Sequence, residues 1–108
     1  MNRPISRGAT PEEYLAAARE IIAGPMSDFR PEFILISAGF DPYREDPLAP
    51  MGLGPEHFRE LTDLLADLAA ESCGGRLVSL LEGGYHPVGL PQCAAAHVEG
   101  LIAAGEKR

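Results

Sequence analysis

The sequence predicts an α/β fold built on parallel strands, and three observations carry that expectation. Residues 33–37 (FILIS) and 77–81 (LVSLL) are almost unbroken apolar runs rich in β-formers. Segments with apolar residues at helical spacing flank each run, so the order is helix, strand, helix, strand, helix. A chain of 108 residues, 45% hydrophobic and 23% charged, suits one small globular domain rather than a disordered segment. Such alternation implies parallel strands joined by a right-handed crossover.

The first helix is predicted over about 11–23. Thr10 caps it, Pro11 suits the first helical position and Glu13 completes a capping box. Tyr14, Leu15, Ala18, Ile21 and Ile22 then recur at helical spacing, and Gly24-Pro25 is read as the stop. The 33–37 run follows as a strand of the kind ordinarily covered on both faces. Residues 38–54, with Gly39, Pro42, Pro47, Pro50 and Gly52, read as a long loop at its carboxyl end. Phe58, Leu61, Leu64, Leu65 and Leu68 mark a second helix, introduced by Gly54-Pro55 and closed by Gly74-Gly75. The second strand comes at once, then the turn Glu82-Gly83-Gly84-Tyr85. Leu90, Ala94, Val98, Leu101 and Ile102 trace a last helix whose first turn accepts Pro91.

Two strands are too few for a doubly covered sheet, because each would keep an unpaired backbone edge. Residues 1–9 supply no element of their own. The expectation is that residues 1–108 form the carboxyl-terminal part of a larger α/β domain, completed by upstream chain, an oligomer or a complementing chain.

Charge and composition remove several function classes. Nine Lys and Arg against 16 Asp and Glu, a formal charge of −7, argue against direct binding to nucleic acid or to an anionic membrane. No apolar run approaches the roughly 18–20 residues of a membrane helix, and the first residues lack a signal-peptide core, so a cytoplasmic location is expected. Cys73 and Cys93 are too few for a disulfide scaffold and are expected to be reduced. Gly52-Leu53-Gly54 begins like a dinucleotide fingerprint, but His57 stands where the third glycine belongs and no strand precedes it.

Ligands of open α/β sheets bind beyond the carboxyl ends of the strands, here SAGFD (37–41) and LEGGY (81–85). Asp41 and Tyr85 therefore emerge on one edge from different strands. Each has an ordinary explanation, since Asp before Pro is a common turn former and Tyr after Gly-Gly a common packed aromatic.

PEFILISAGFDPYREDPL (31–48) followed by RLVSLLEGGY (76–85) resembles the carboxyl-terminal part of the zinc-dependent histone deacetylase family, which includes bacterial acetylpolyamine amidohydrolases and acetoin-utilisation proteins. The likeness extends upstream through EEYLAAAREI and downstream through the last helix, and it is nearer to the class II and bacterial branches. It spans only about the last third of the family's catalytic domain. The resemblance implies the three-layer arginase/deacetylase-like fold, with an acetylated amine hydrolysed to free amine and acetate. It implies Asp41 as one of three protein ligands on a catalytic Zn2+ and Tyr85 as hydrogen-bond donor to the acetyl carbonyl. Gly83 and Gly84 become positions where backbone approaches a narrow substrate channel.

The departures matter equally. The family's Asp-x-His ligands and its paired catalytic histidines have no counterpart in the sequence, so weak or absent zinc binding is expected of this chain alone. His57 and His97 fall in helical patterns and read as surface or core fillers, while His86 reads as a rim residue. The rival readings are a truncated, non-catalytic deacetylase-like remnant and an unrelated α/β module that binds a partner or ligand.

Overall fold

The first helix starts as the sequence dictates and then does something the sequence did not announce. In this computed structural model, which describes residues 1–107, α1 (Pro11–Ile21) begins with the Glu13 N–H donating to Thr10 Oγ1 over 3.1 Å. A cap of this kind contributes about 1 kcal/mol. Gly24-Pro25 does not end the helical path. The chain passes through a π-helical turn, Ile22–Met26, into a short α2 (Ser27–Phe29), and stops at Arg30, which adopts the left-handed conformation at φ 53°. A proline clashes with the carbonyl four residues back in an α-helix and lacks the N–H that would pair with it; a widened turn removes that requirement.

Strands β1 (Ile34–Ala38) and β2 (Leu77–Leu81) pair in parallel, Ile34 opposite Leu77 and Ala38 opposite Leu81. The βαβ connection predicted from the sequence is therefore present, with α3 (Pro55–Cys73) between the strands and α4 (Gly89–Glu106) after them. Strand β1 starts one residue later than the apolar run suggests.

Alternation along β1 turns Ile34 and Ala38 inward. Ile34 meets Leu68, Ala69 and Cys73 of α3, while Ala38 shares a cluster with Phe40, Tyr43, Leu53, Phe58 and Cys93. Where α3 and α4 cross, a Cβ on Gly100 would lie 2.9 Å from Thr62 Cγ2, so glycine permits the close helix approach. The opposite sheet face is bare: Leu35 is 68% exposed and Leu80 56%, with Val78 also exposed. The apolar strands are thus covered on one face only, not on both.

Backbone pairing continues past the strand ends. Glu82 N–H donates to the Ala38 carbonyl over 2.9 Å, and Phe40 N–H to the Gly83 carbonyl over 2.8 Å. The loop after β1 is closed on itself by a bridge between Tyr43 and Leu53, with Arg44 N–H donating to the Leu53 carbonyl over 2.8 Å. Leu53 is 0% exposed and fastens the loop to the core, a burial contributing about 1.5–3 kcal/mol.

Candidate functional site

The extension of pairing from β1–β2 into Phe40 and Gly83 sets the site. It carries Asp41 and the Gly83-Gly84-Tyr85 turn to the same end of the sheet, as the parallel arrangement requires. The Asp41 carboxylate lies against the Gly83 backbone: a Cβ at residue 83 would stand 3.0 Å from Asp41 Oδ1 and 3.1 Å from Cγ. At Gly84, φ is +131° and a Cβ would stand 2.8 Å from Leu90 Cδ1. Conformation and space both favour glycine at 84, whereas at 83 a side chain would press on the Asp41 carboxylate.

Tyr14 reaches this end from α1. Its phenol is raised above the ordinary value, first by burial and then by the negative charge of Asp41. Tyr85, by contrast, is 53% exposed. Its backbone rather than its ring is held, through an N–H donated to Asp46 Oδ2 over 2.9 Å.

Asp46 went unremarked in the sequence. It is buried, and its other oxygen, Oδ1, accepts from Leu48 N–H over 2.8 Å and Ala49 N–H over 3.1 Å. Burial pushes its carboxyl up, but the backbone donors of Leu48, Tyr85 and Ala49, together with the nearby His86, outweigh that and hold it below the ordinary carboxylate value. The Asp46-Pro47 dipeptide was the available signal, since Asp in such a setting turns the chain by accepting from amides just downstream. Tyr43 was also missed. Its buried ring tilts against the His86 ring at 5.3 Å between centroids, and a Cβ on Gly89 would collide with it.

The three histidines have definite partners. His57 Nδ1 accepts from Gly54 N–H over 2.8 Å, which makes it part of the α3 cap. His86 Nδ1 accepts from Gly89 N–H over 2.8 Å and Val88 N–H over 3.3 Å, capping α4 instead of only lining a rim. His97 is buried between Thr62 Oγ1, 2.7 Å from Nδ1, and Ser79 Oγ, 2.8 Å from Nε2. It also packs edge-on against Phe40, beside Asp41. Both cysteines are free and buried, and burial pushes the Cys93 thiol up to about 11, which keeps it protonated and unreactive.

Among the described residues no three His, Cys, Asp or Glu side chains cluster as a metal site. Asp41 is a suitable hard donor, but one carboxylate does not make a centre. Nor is any described helix long and apolar enough to cross a membrane.

A parallel βαβ unit with an acidic residue and a Gly-Gly-Tyr turn beyond its strand ends defines an α/β protein whose polar site lies at the carboxyl edge of the sheet. The sequence profile of the Histone deacetylase domain matches residues 1–101. The chain belongs to the histone deacetylase family. It is similar to the Type-2 histone deacetylase 1 of Dictyostelium discoideum, 43% identical over 101 residues that make up 94% of this chain and 7% of that protein. It is similar to the Histone deacetylase-like amidohydrolase of Pseudomonas aeruginosa, 38% identical over 101 residues, 94% of this chain and 27% of that protein. The crystal structure of the HDA15 HD domain superposes with a TM-score of 0.81 at 34% identity, covering 91% of this chain and 26% of that one. This chain therefore spans about a quarter or less of the length of these relatives.

Proposed function

We propose that residues 1–108 serve as the segment of a zinc-dependent deacetylase that contributes one metal-binding carboxylate, Asp41, and one carbonyl-facing phenol, Tyr85. The enzyme so completed hydrolyses an acetylated amine, of the acetyl-lysine or acetylpolyamine type, to the free amine and acetate. The observation that carries this reading is the Phe40–Gly83 backbone bond, which brings the Asp41 carboxylate against the Gly-Gly-Tyr turn. Donor chemistry supports it in type but not in number among the described residues, so this reading assigns the other ligands and the base to the rest of the enzyme.

Within the segment each residue has a task. The Asp41 carboxylate offers a hard oxygen donor that lies against the backbone of Gly83. The exposed Tyr85 hydroxyl donates a hydrogen bond to the acetyl carbonyl oxygen, and its value grows as negative charge develops there. Gly83 and Gly84 keep the backbone flat enough for a slender acyl chain to pass.

The test is hydrolysis of an acetyl-lysine peptide and of acetylspermidine by the complete domain carrying this segment, with and without Asp41→Ala. Loss of zinc-dependent turnover in the variant, with retained folding, is the expected result. Unchanged turnover would leave the non-catalytic, partner-binding reading in its place.

A further inference from the structure

We propose that Asp46 is a positioning residue for Tyr85, its buried carboxylate tying the backbone of the Gly-Gly-Tyr turn to the loop that carries Asp41. This rests on the reading of Tyr85 as donor to the acetyl carbonyl.

Asp46 is 4% exposed, and dehydrating a carboxylate is costly unless its oxygens are paired. Two of its three backbone donors are local: Leu48 and Ala49 bond Oδ1 and close a turn. A turn of that kind forms readily at a surface and needs one oxygen. The second oxygen reaches across 39 residues of sequence to Tyr85 N–H. That bond is the part local turn formation does not explain.

The geometry says what it does. Tyr85 follows two glycines, one of them at φ +131°, so the preceding backbone has little stiffness of its own. The Tyr85 ring is half exposed and gains little from packing. Fixing the amide of Tyr85 fixes the root of its side chain. The same loop grips the next residue, because Tyr43 packs on His86 while Asp46 N–H donates to the Tyr43 carbonyl over 3.0 Å. Residues 43–46 thus hold Tyr85 and His86 together on the loop that begins at Asp41. An ionised carboxylate accepts at both oxygens, and an amide at only one, so Asn cannot hold both the local turn and Tyr85. A displacement of about 1 Å in such a group costs on the order of a hundredfold in rate.

The test is a double-mutant cycle in the zinc-loaded complete enzyme: D46N, Y85F and D46N/Y85F, with D46A and D46E as companions, assayed for kcat, KM and thermal midpoint. D46N is expected to lower kcat by ~tenfold or more, with KM within a few-fold of wild type. The double variant should be no slower than Y85F alone, because a displaced phenol and a missing hydroxyl fail in the same way. D46E, which keeps two acceptor oxygens, should recover part of the loss. Multiplicative losses in the double variant, or an unchanged kcat in D46N while Y85F is slow, would overturn the proposal and leave the role of Tyr85 standing. Wild-type kcat in Y85F would overturn both. If none of the Asp46 variants folds, Asp46 serves stability alone and the proposal fails.

Discussion

His97 on α4 and Ser79 on β2 are joined by a hydrogen bond of 2.8 Å, while the other ring nitrogen of His97 lies 2.7 Å from Thr62 Oγ1 on α3. One imidazole thus ties together three elements behind Phe40. The Thr62 hydroxyl also donates to the Phe58 carbonyl over 2.7 Å, so Thr62 accepts from His97 Nδ1–H and Ser79 donates to Nε2. This arrangement satisfies every group with the ring neutral, and burial lowers its pKa below the ordinary 6.5.

That tautomer predicts a pH dependence. The folded state resists protonating His97, whereas the unfolded chain protonates near 6.5, so the unfolded state binds more protons as pH falls below that value. Stability from the neutral ring is full above pH 6.5 and lost on acidification toward the lowered folded value. Thermal midpoints of the complete domain measured from pH 8 to pH 5 should fall in that window, and His97→Gln should flatten the slope while lowering the midpoint at neutral pH. An equal slope in the variant would remove His97 as its source.

Asp46 predicts a second, more acidic window. Its folded pKa is held below the ordinary 3.8, so its contribution is present above that value and lost as pH falls through the folded one. Asp46→Asn should make acid unfolding less steep below about pH 4, as read by circular dichroism.

Gly83→Ala and Gly84→Ala should fail differently. A methyl at 83 presses on the Asp41 carboxylate, so the complete enzyme should keep its fold and lose zinc affinity and turnover by ~tenfold or more. A methyl at 84 meets Leu90 at an unfavourable φ and should cost about 1–3 kcal/mol of stability. Denaturant midpoints and zinc titration separate the two.

Tyr85→Phe in the complete enzyme should retain metal and fold and lower kcat by about a hundredfold, with a smaller change in KM, because the donor matters most when the oxygen carries charge. Kinetics at matched zinc occupancy check this, and a near-normal kcat would return Tyr85 to the ordinary class of surface aromatics.

The isolated chain should bind zinc weakly in calorimetry and show no amidase activity, since Asp41 has no partner ligands among the described residues. It should also self-associate or bind an apolar dye through Leu35, Val78 and Leu80. Leu35→Lys with Leu80→Lys should suppress that in the isolated chain. The same pair should destabilise a complete domain in which further helices cover this face.

The order of elements, the parallel pairing and the placement of Asp41 and Tyr85 at one sheet edge were all legible in the sequence, because apolar period and turn residues are local signals and parallel strands point their ends the same way. The family was legible because two motifs stand in order with a helix between them. Local signals misjudged the first helix stop, since a π-helical turn that absorbs Pro25 has no marker of its own. They also could not show that His57 and His86 cap helices, that His97 bridges Thr62 and Ser79, or that Asp46 reaches Tyr85. Those bonds except the caps join residues 18 to 39 positions apart, and a hydrogen-bond partner at such separation is chosen by packing. The bare sheet face was decided the same way: the sequence made both faces of the strands apolar, and the tertiary structure placed α3 and α4 on one of them.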